Sequence, residues 1–315
     1  IDCTPTQNFT FYFAKLAAVL TIGFTLILVS IISAILFQLS QGYLDIQPQQ
    51  YLLLFYYSGV PMLLAALLTL FLQRFAKVKA IGLLLGVGVF VLNGVAKGML
   101  LDHPLTVFAY QPYFMFSDMA DTVYHAQAAH WYNIYWLSLT GTLGVITVKF
   151  WQRGSTVTAE KLTKKARVLL ASLMLLCVTS ASYIFYQKNM FNTFMTEEQK
   201  IALMADYEKQ YQSYQGKSSP TIVDVKLAMD IFPENRSYQI RGRYIIENQS
   251  DQPITDVLVS VLRQSHVNYQ VELAGAELIK HDQVHQTMLF TLTTPLAPNK
   301  TTSVEFSLTA IHNAF

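Results

Sequence analysis

The sequence predicts a multi-domain membrane protein, with an all-α transmembrane helical bundle of about five spans followed by an all-β, sandwich-like soluble domain. Three observations lead there. Charged residues make up 13% of the 315 residues and hydrophobic ones 52%, roughly half the charged share of an average soluble protein. Long uncharged runs are confined to the part before residue 190. After residue 220 apolar and polar residues alternate instead, so one chain is expected to meet both lipid and water.

Crossing a hydrocarbon core takes roughly 20 mostly apolar residues. Five stretches qualify: Phe11–Leu39, Tyr51–Leu72, Ala80–Leu101, Trp131–Phe150 and Val168–Tyr186. The basic residues set their direction, because short cytoplasmic links are enriched in Lys and Arg. Arg74, Lys77 and Lys79 follow the second stretch, and Arg153, Lys161, Lys164, Lys165 and Arg167 follow the fourth. Both links are expected in the cytoplasm, which puts everything after Lys188 outside. The segment from Asp102 to His130, with the Trp131, Tyr132, Tyr135 and Trp136 cluster at its end, is expected to lie on the outer membrane face.

Beyond the last stretch, Thr196–Tyr214 reads as a helix opened by a capping box at Thr196 and Gln199. Its Met204, Tyr207, Tyr211 and Tyr214 repeat at coiled-coil spacing, and Gly216 is a C-terminal stop. From Thr221 the period becomes two. Val223, Val225, Leu227, Met229 and Ile231 form one strand, a turn spans Pro233–Arg236, and Tyr238, Ile240, Gly242, Tyr244 and Ile246 form the next. Further strands are expected around Val259, Val271, Phe290 and Phe306. The organisation predicted is a helical domain over 1–190, a stalk helix and linker over 191–219, and a β-domain over 220–315.

Several function classes lose their footing. A net charge of +2, with the basic residues at the ends of apolar runs, gives a nucleic acid nothing to bind. Cys3 and Cys177 are the only cysteines, so no disulfide framework exists in the β-domain. No GxxxxGK[ST] occurs, so the chain cannot itself hydrolyse ATP. The Leu83–Phe90 run, LLLGVGVF, has the glycines of a nucleotide loop, but small residues that let helices pack explain it within an apolar stretch. Ionisable residues in the spans are confined to Lys15, Lys97 and Lys149 near the ends, which argues against an ion-coupled carrier, and Asn93 and Gln38 read as interhelical hydrogen-bonders.

Two sets of residues have metal-ligand chemistry. His281, Asp282 and His285 lie close together at a strand end, and Asp118, Asp121 and His125 lie in the aromatic outer segment. Their bland readings are strand-end surface residues and interfacial polar groups. His125 and His130 are five apart and so fall on different helix faces, His103 is far off from them, and His266 lies apart in the β-domain. No catalytic, cofactor-binding or metal-binding residue is assigned.

The run from Asp206 to Ile254 carries a resemblance. A tyrosine-rich helix leads to a strand, a D-I-F-P-E-N-R turn at Asp230–Arg236, an R-G-R-Y strand at Arg241–Tyr244 and a Q-P-I turn at Gln252–Ile254. This resembles the junction in bacterial fusion proteins that join an ABC type 2 permease-like membrane region to a zinc aminopeptidase of the membrane alanyl aminopeptidase family. GAELIKHD at Gly275–Asp282 and TPLAPNKT at Thr294–Thr301 look like edge strands of that peptidase's N-terminal β-domain. FSDMADTVYH at Phe116–His125 is similar to the last outer loop of the permease-like part.

The resemblance implies a bacterial inner-membrane protein whose β-domain walls one side of a peptidase cleft, with any ATPase a separate subunit. The peptidase chemistry itself needs HExxH and a downstream Glu, which hold zinc and activate its water. Neither HExxH nor a GAMEN-type loop occurs here. Both ends of the sequence read as truncations, so zinc and catalysis are expected in a domain beyond Phe315. The rival expectations are a noncatalytic receptor or assembly module, and an export permease subunit with an accessory β-domain.

Overall fold

The computed structural model describes residues 7–76, 78–96, 102–112, 123–151, 162–261, 266–313 and 315. The chain divides into two compact units, one over residues 1–185 with residue 315, the other over residues 186–314.

The first unit is helical. It comprises α1 (Asn8–Ser40), α2 (Pro48–Tyr57), α3 (Gly59–Phe75), α4 (Lys79–Ala96), α5 (Val123–Lys149) and α6 (Lys164–Phe185). At about 1.5 Å per residue, α1 with its 33 residues is longer than the hydrocarbon core needs. Thr21, Thr25, Ser30 and Ser33 each donate a hydroxyl to the carbonyl four residues earlier, at 2.7–2.9 Å. That satisfies the hydroxyls without water. Pro48 opens α2 at a position whose N–H would be unpaired anyway. Pro61 has no N–H for the Tyr57 carbonyl, and the helix accordingly breaks at Ser58 between α2 and α3.

Among the described residues three helical segments are long and apolar enough to cross a membrane: Asn8–Ser40, Pro48–Phe75 across the break, and Lys164–Phe191. Ala80–Val95 is apolar but shorter, and the rest of its expected stretch lies outside the described residues. The fourth stretch, Trp131–Phe150, falls on α5, which is not among these segments, and packing supplies the reason. It lies against α1, α3 and α6, and Ala128, Ala129, Tyr132, Thr140 and Thr147 are fully buried on it. Thr140, Thr142 and Thr147 bond back to the carbonyls of Trp136, Ser138 and Leu143 at 2.7–2.9 Å. A helix enclosed by other helices does not need an apolar outer surface. At Gly144 a methyl group would stand 2.8 Å from the Tyr12 hydroxyl, so glycine is what lets α1 approach α5.

The second unit begins with a π-helical turn at Tyr186–Phe191, then α7 (Glu197–Tyr211), and continues in seven strands: β1 (Thr221–Phe232), β2 (Ser237–Glu247), β3 (Ile254–Ser260), β4 (Val267–Leu273), β5 (Ala276–Asp282), β6 (Thr287–Leu296) and β7 (Thr301–Ile311). The capping box is formed: the Gln199 amide donates to Thr196 Oγ1 at 3.2 Å, and Thr196 N–H to Gln199 Oε1 at 2.9 Å.

The strands make a four-stranded sheet ordered β1-β2-β7-β4 and a three-stranded sheet ordered β3-β6-β5, all neighbours antiparallel. Ile246, Val257, Leu273, Met288, Phe290 and Val304 form the core between them. The predicted turns are realised. Pro233–Asn235 is one 3₁₀ turn, closed by Arg236 in the left-handed region at φ 48°. Asn248, fully buried, donates its amide to the carbonyls of Gln252 and Leu296 at 2.8 and 2.7 Å, which pins the β2–β3 connection.

Candidate functional site

Strand β1 is an edge strand, and every one of its twelve residues is exposed. A bulge between Ile222 and Asp224 leaves Val223 out of register and re-phases the strand. Ile222 and Val225 therefore share one face although their numbers differ by three: they pair with Ile246 and Tyr244, which face the core. Beyond the bulge, Val225, Leu227, Met229 and Ile231 lie on this inner face and are 50–64% exposed. The three-stranded sheet covers the inner face around Ile246, Leu273 and Val304 and leaves the β1 end open.

A cleft of about 460 Å³ runs into that opening, walled by Ile222, Tyr244, Val259, Val271, Phe306 and Leu308. The opposite face of the strand is polar, where Arg241 meets Asp230 at 3.7 Å in solvent. An amphipathic strand whose apolar side has no cover among the described residues of the unit is the clearest functional feature of the β-domain.

The second feature is the turn between β5 and β6. Asp282 Oδ1 accepts the backbone N–H groups of Val284 and His285 at 3.0 and 3.1 Å, an Asx turn that folds the chain back on itself. Its Oδ2 accepts the His285 ring N–H from Nδ1 at 2.9 Å and the Tyr211 hydroxyl at 2.8 Å. His285 Nε2 lies 3.4 Å from Asp206 Oδ2 and makes no hydrogen bond. Tyr207 stacks beside Tyr211 with ring centres 4.9 Å apart, and the Lys280 ammonium sits 5.4 Å over the Tyr211 ring.

Burial alone would raise the Asp282 pKa. The hydrogen bonds from the His285 ring and backbone, then that from Tyr211, together with the charge of His285, outweigh it and hold the carboxyl well below the usual range. Burial, the bond to Asp282 and the negative charge of Asp282 push Tyr211 up to about 12. The arrangement is a clamp: the tyrosine stripe of α7 is tied to one hairpin turn.

Of the sequence-derived metal sets, this turn brings together Asp282 and His285 but not His281. Neighbours on a strand point to opposite faces, and His281 Nε2 instead meets the Tyr269 hydroxyl at 3.2 Å. Both Asp282 oxygens are already occupied by donors. Among the described residues no three His, Cys, Asp or Glu side chains converge on a metal position. Asp118, Asp121 and the His125 side chain lie outside the described residues. The bland reading of His285 was also incomplete, since its side chain is 4% exposed.

Other histidines have structural partners: His130 Nδ1 lies 2.6 Å from the Tyr56 hydroxyl, the His103 backbone caps a turn with Thr106, and His266 bonds the Phe191 carbonyl. Asn93 binds the Phe108 backbone from both ends of its amide, at 3.0 and 2.8 Å. Gln38 accepts from the Tyr51 hydroxyl at 2.5 Å. Sequence reasoning missed the clamp because its parts lie 71 residues apart; the D-x-x-H turn spacing and the tyrosine stripe were each visible. Compared with protein-family profiles and with curated proteins, the sequence matches none.

Proposed function

We propose that the chain is a membrane-embedded, permease-like anchor that presents its β-domain, outside the cytoplasm, as a docking wall for a zinc aminopeptidase domain. The observation that carries this reading is the open inner face of β1, since soluble domains rarely leave a contiguous apolar row without an occupant. Val225, Leu227, Met229 and Ile231 belong to the strand that leads into the Asp230–Arg236 motif, where the resemblance to such fusions is most specific. In this division of labour the chain supplies position and the zinc domain supplies chemistry. The chain's own groups fit that role: both Asp282 oxygens accept hydrogen bonds from its own turn, from the His285 ring and from Tyr211 of α7.

The membrane half of the proposal has five crossings, α2 and α3 counting as one, with the basic links in the cytoplasm of a bacterial inner membrane. Arg74, at the end of α3, bonds the Phe150 carbonyl just beyond α5, which brings two basic chain ends to one side. That pairing supports a second and a fourth crossing that run in the same direction, as they do when successive crossings alternate. A noncatalytic assembly module is the second reading, favoured by the same open face if its occupant is a different protein.

The test has two parts. Reading the coding sequence past Phe315 for HExxH with a downstream Glu separates peptidase from assembly module. The full chain, purified in detergent and assayed with fluorogenic amino-acid amides, is expected to show no chelator-sensitive hydrolysis, and activity above background would overturn the division of labour. Protease protection in sealed vesicles checks the orientation, with residues after Lys188 expected on the outer side.

A further inference from the structure

The helical unit holds a cleft of about 590 Å³ between α1, α3, α5 and α6. Leu16, Leu67, Val148 and Leu173 are among its apolar walls, and its size falls in the range of small-molecule sites, roughly 300–1,000 Å³. Two features set it apart from an ordinary lipid-facing groove. Lys149 and Lys165 line it, from the end of α5 and the start of α6, and among the described residues no carboxylate does. Tyr12 also lines it, is 2% exposed, and its hydroxyl has no hydrogen-bond partner among the described residues. A buried hydroxyl without an acceptor is costly in an apolar setting. The lining therefore suits a ligand that brings an oxygen acceptor, a negative charge and an apolar body together.

We infer that this cleft is a binding site for one anionic phospholipid, its phosphate held by Lys149 and Lys165, its acyl chain along Leu16, Leu67 and Leu173, and a phosphate or ester oxygen accepting from Tyr12. Charge complementarity chooses the occupant. A zwitterionic lipid fills the apolar walls equally well, but its choline cancels the charge of its phosphate, whereas an anionic headgroup between helices on the basic side keeps a net negative charge facing the two ammonium groups. The site is built, because Gly144 brings Tyr12 against α5 and Trp151 meets the Tyr12 ring edge-on at 6.2 Å. Lys15 lies 4.9 Å over that indole and adds positive potential to the same end. The inference rests on the reading of these helices as membrane spans.

The experiment uses the full chain in mild detergent, titrated separately with dioleoylphosphatidylglycerol, dioleoylphosphatidylcholine and inorganic phosphate, and read by native mass spectrometry and thermal shift. One phosphatidylglycerol per chain is expected to be retained at about ten-fold lower concentration than phosphatidylcholine, the effect of two lysines near a headgroup. In Lys149→Gln/Lys165→Gln the preference is expected to disappear, and helical circular dichroism equal to that of the parent chain certifies the fold. If that double variant loses its helical circular dichroism, Lys165→Gln alone, on an exposed residue, is expected to reduce the preference several-fold.

Equal retention of the two lipids by the parent chain would overturn the site, as would a preference that survives both lysine changes. An equal thermal shift with inorganic phosphate would overturn the lipid as occupant. A chain recovered from cells without detergent would instead sink the membrane reading, a separate failure.

Discussion

The Phe306 ring lies across Gly242 on the neighbouring strand, so closely that a methyl group on Gly242 would overlap it and approach Leu227 Cδ2 to 2.7 Å. Gly242 pairs with Leu227 on one side and Phe306 on the other. A glycine in a strand interior normally weakens it. Here it gives an aromatic side chain a seat in the middle of the four-stranded sheet and lets the open β1 row sit flush beside it.

Gly242→Ala is therefore expected to destabilise the β-domain by about 1–3 kcal/mol, the usual cost of overpacking. Leu227 is exposed and can swing away, so the clash resolves only by moving Phe306. Chemical denaturation of the full chain in detergent, followed by the exchange of β2 and β7 amides, measures it. Gly242→Ala/Phe306→Leu is expected to recover most of the loss. No recovery would show that the cost is not the ring.

The α7 clamp makes the second unit sensitive to pH at both extremes, with opposite groups responsible. Asp282 has a lowered folded-state pKa, so its contribution is full above the ordinary carboxylate value of about 4 and is lost as pH falls below it. Tyr211 is raised from 10.0 to about 12, so its contribution is full below about 10 and is lost as pH climbs towards 12. The protection of α7 amides, taken relative to the intrinsic exchange rate at each pH, is expected to fall in both windows. Tyr211→Phe removes the alkaline limb, and Asp282→Asn removes the acid limb while loosening α7 at neutral pH. A wild-type profile that is flat from pH 2 to pH 12 would refute the clamp.

Pro61 accounts for the break at Ser58, because it offers no N–H to the Tyr57 carbonyl. Pro61→Ala is expected to fuse α2 and α3 into one helix. The amides of residues 58–62 then exchange at least several-fold more slowly, as newly bonded helix interior does. Unchanged exchange would place the cause of the break elsewhere, in the packing of Phe24 against Gly59.

Much of this architecture could be read in the residues, and what escaped did so for physical reasons. Thr196 and Gln199 signal the start of α7, and the turn at Pro233–Arg236 follows from local side-chain chemistry that needs no tertiary partner. The strand alternation of β1 was legible too, but not the bulge at Val223, because one extra residue changes which side faces the core only relative to β2. The polarity of α5 could not be interpreted without its neighbours. His285 looked like a surface residue because its burial depends on Tyr207 and Tyr211, whose helix reaches it only after the chain has folded. The Tyr12 cleft is illegible in sequence for the same reason, being assembled from four helices.

The open face of β1 yields the sharpest contrast between position and cost. Met229 and Met288 are both inner-face methionines of the β-domain, yet one is 50% exposed and the other 3%. Met229→Lys is expected to change stability by no more than about 0.5 kcal/mol, as surface changes do, and to reduce the binding of an apolar fluorescent dye. Met288→Ala removes core contacts and is expected to cost about 2–5 kcal/mol. Denaturant titrations of both variants, paired with dye fluorescence, measure the difference. If Met229→Lys proved as costly as Met288→Ala, that methionine would already be covered, and β1 would not be the surface on which another domain docks.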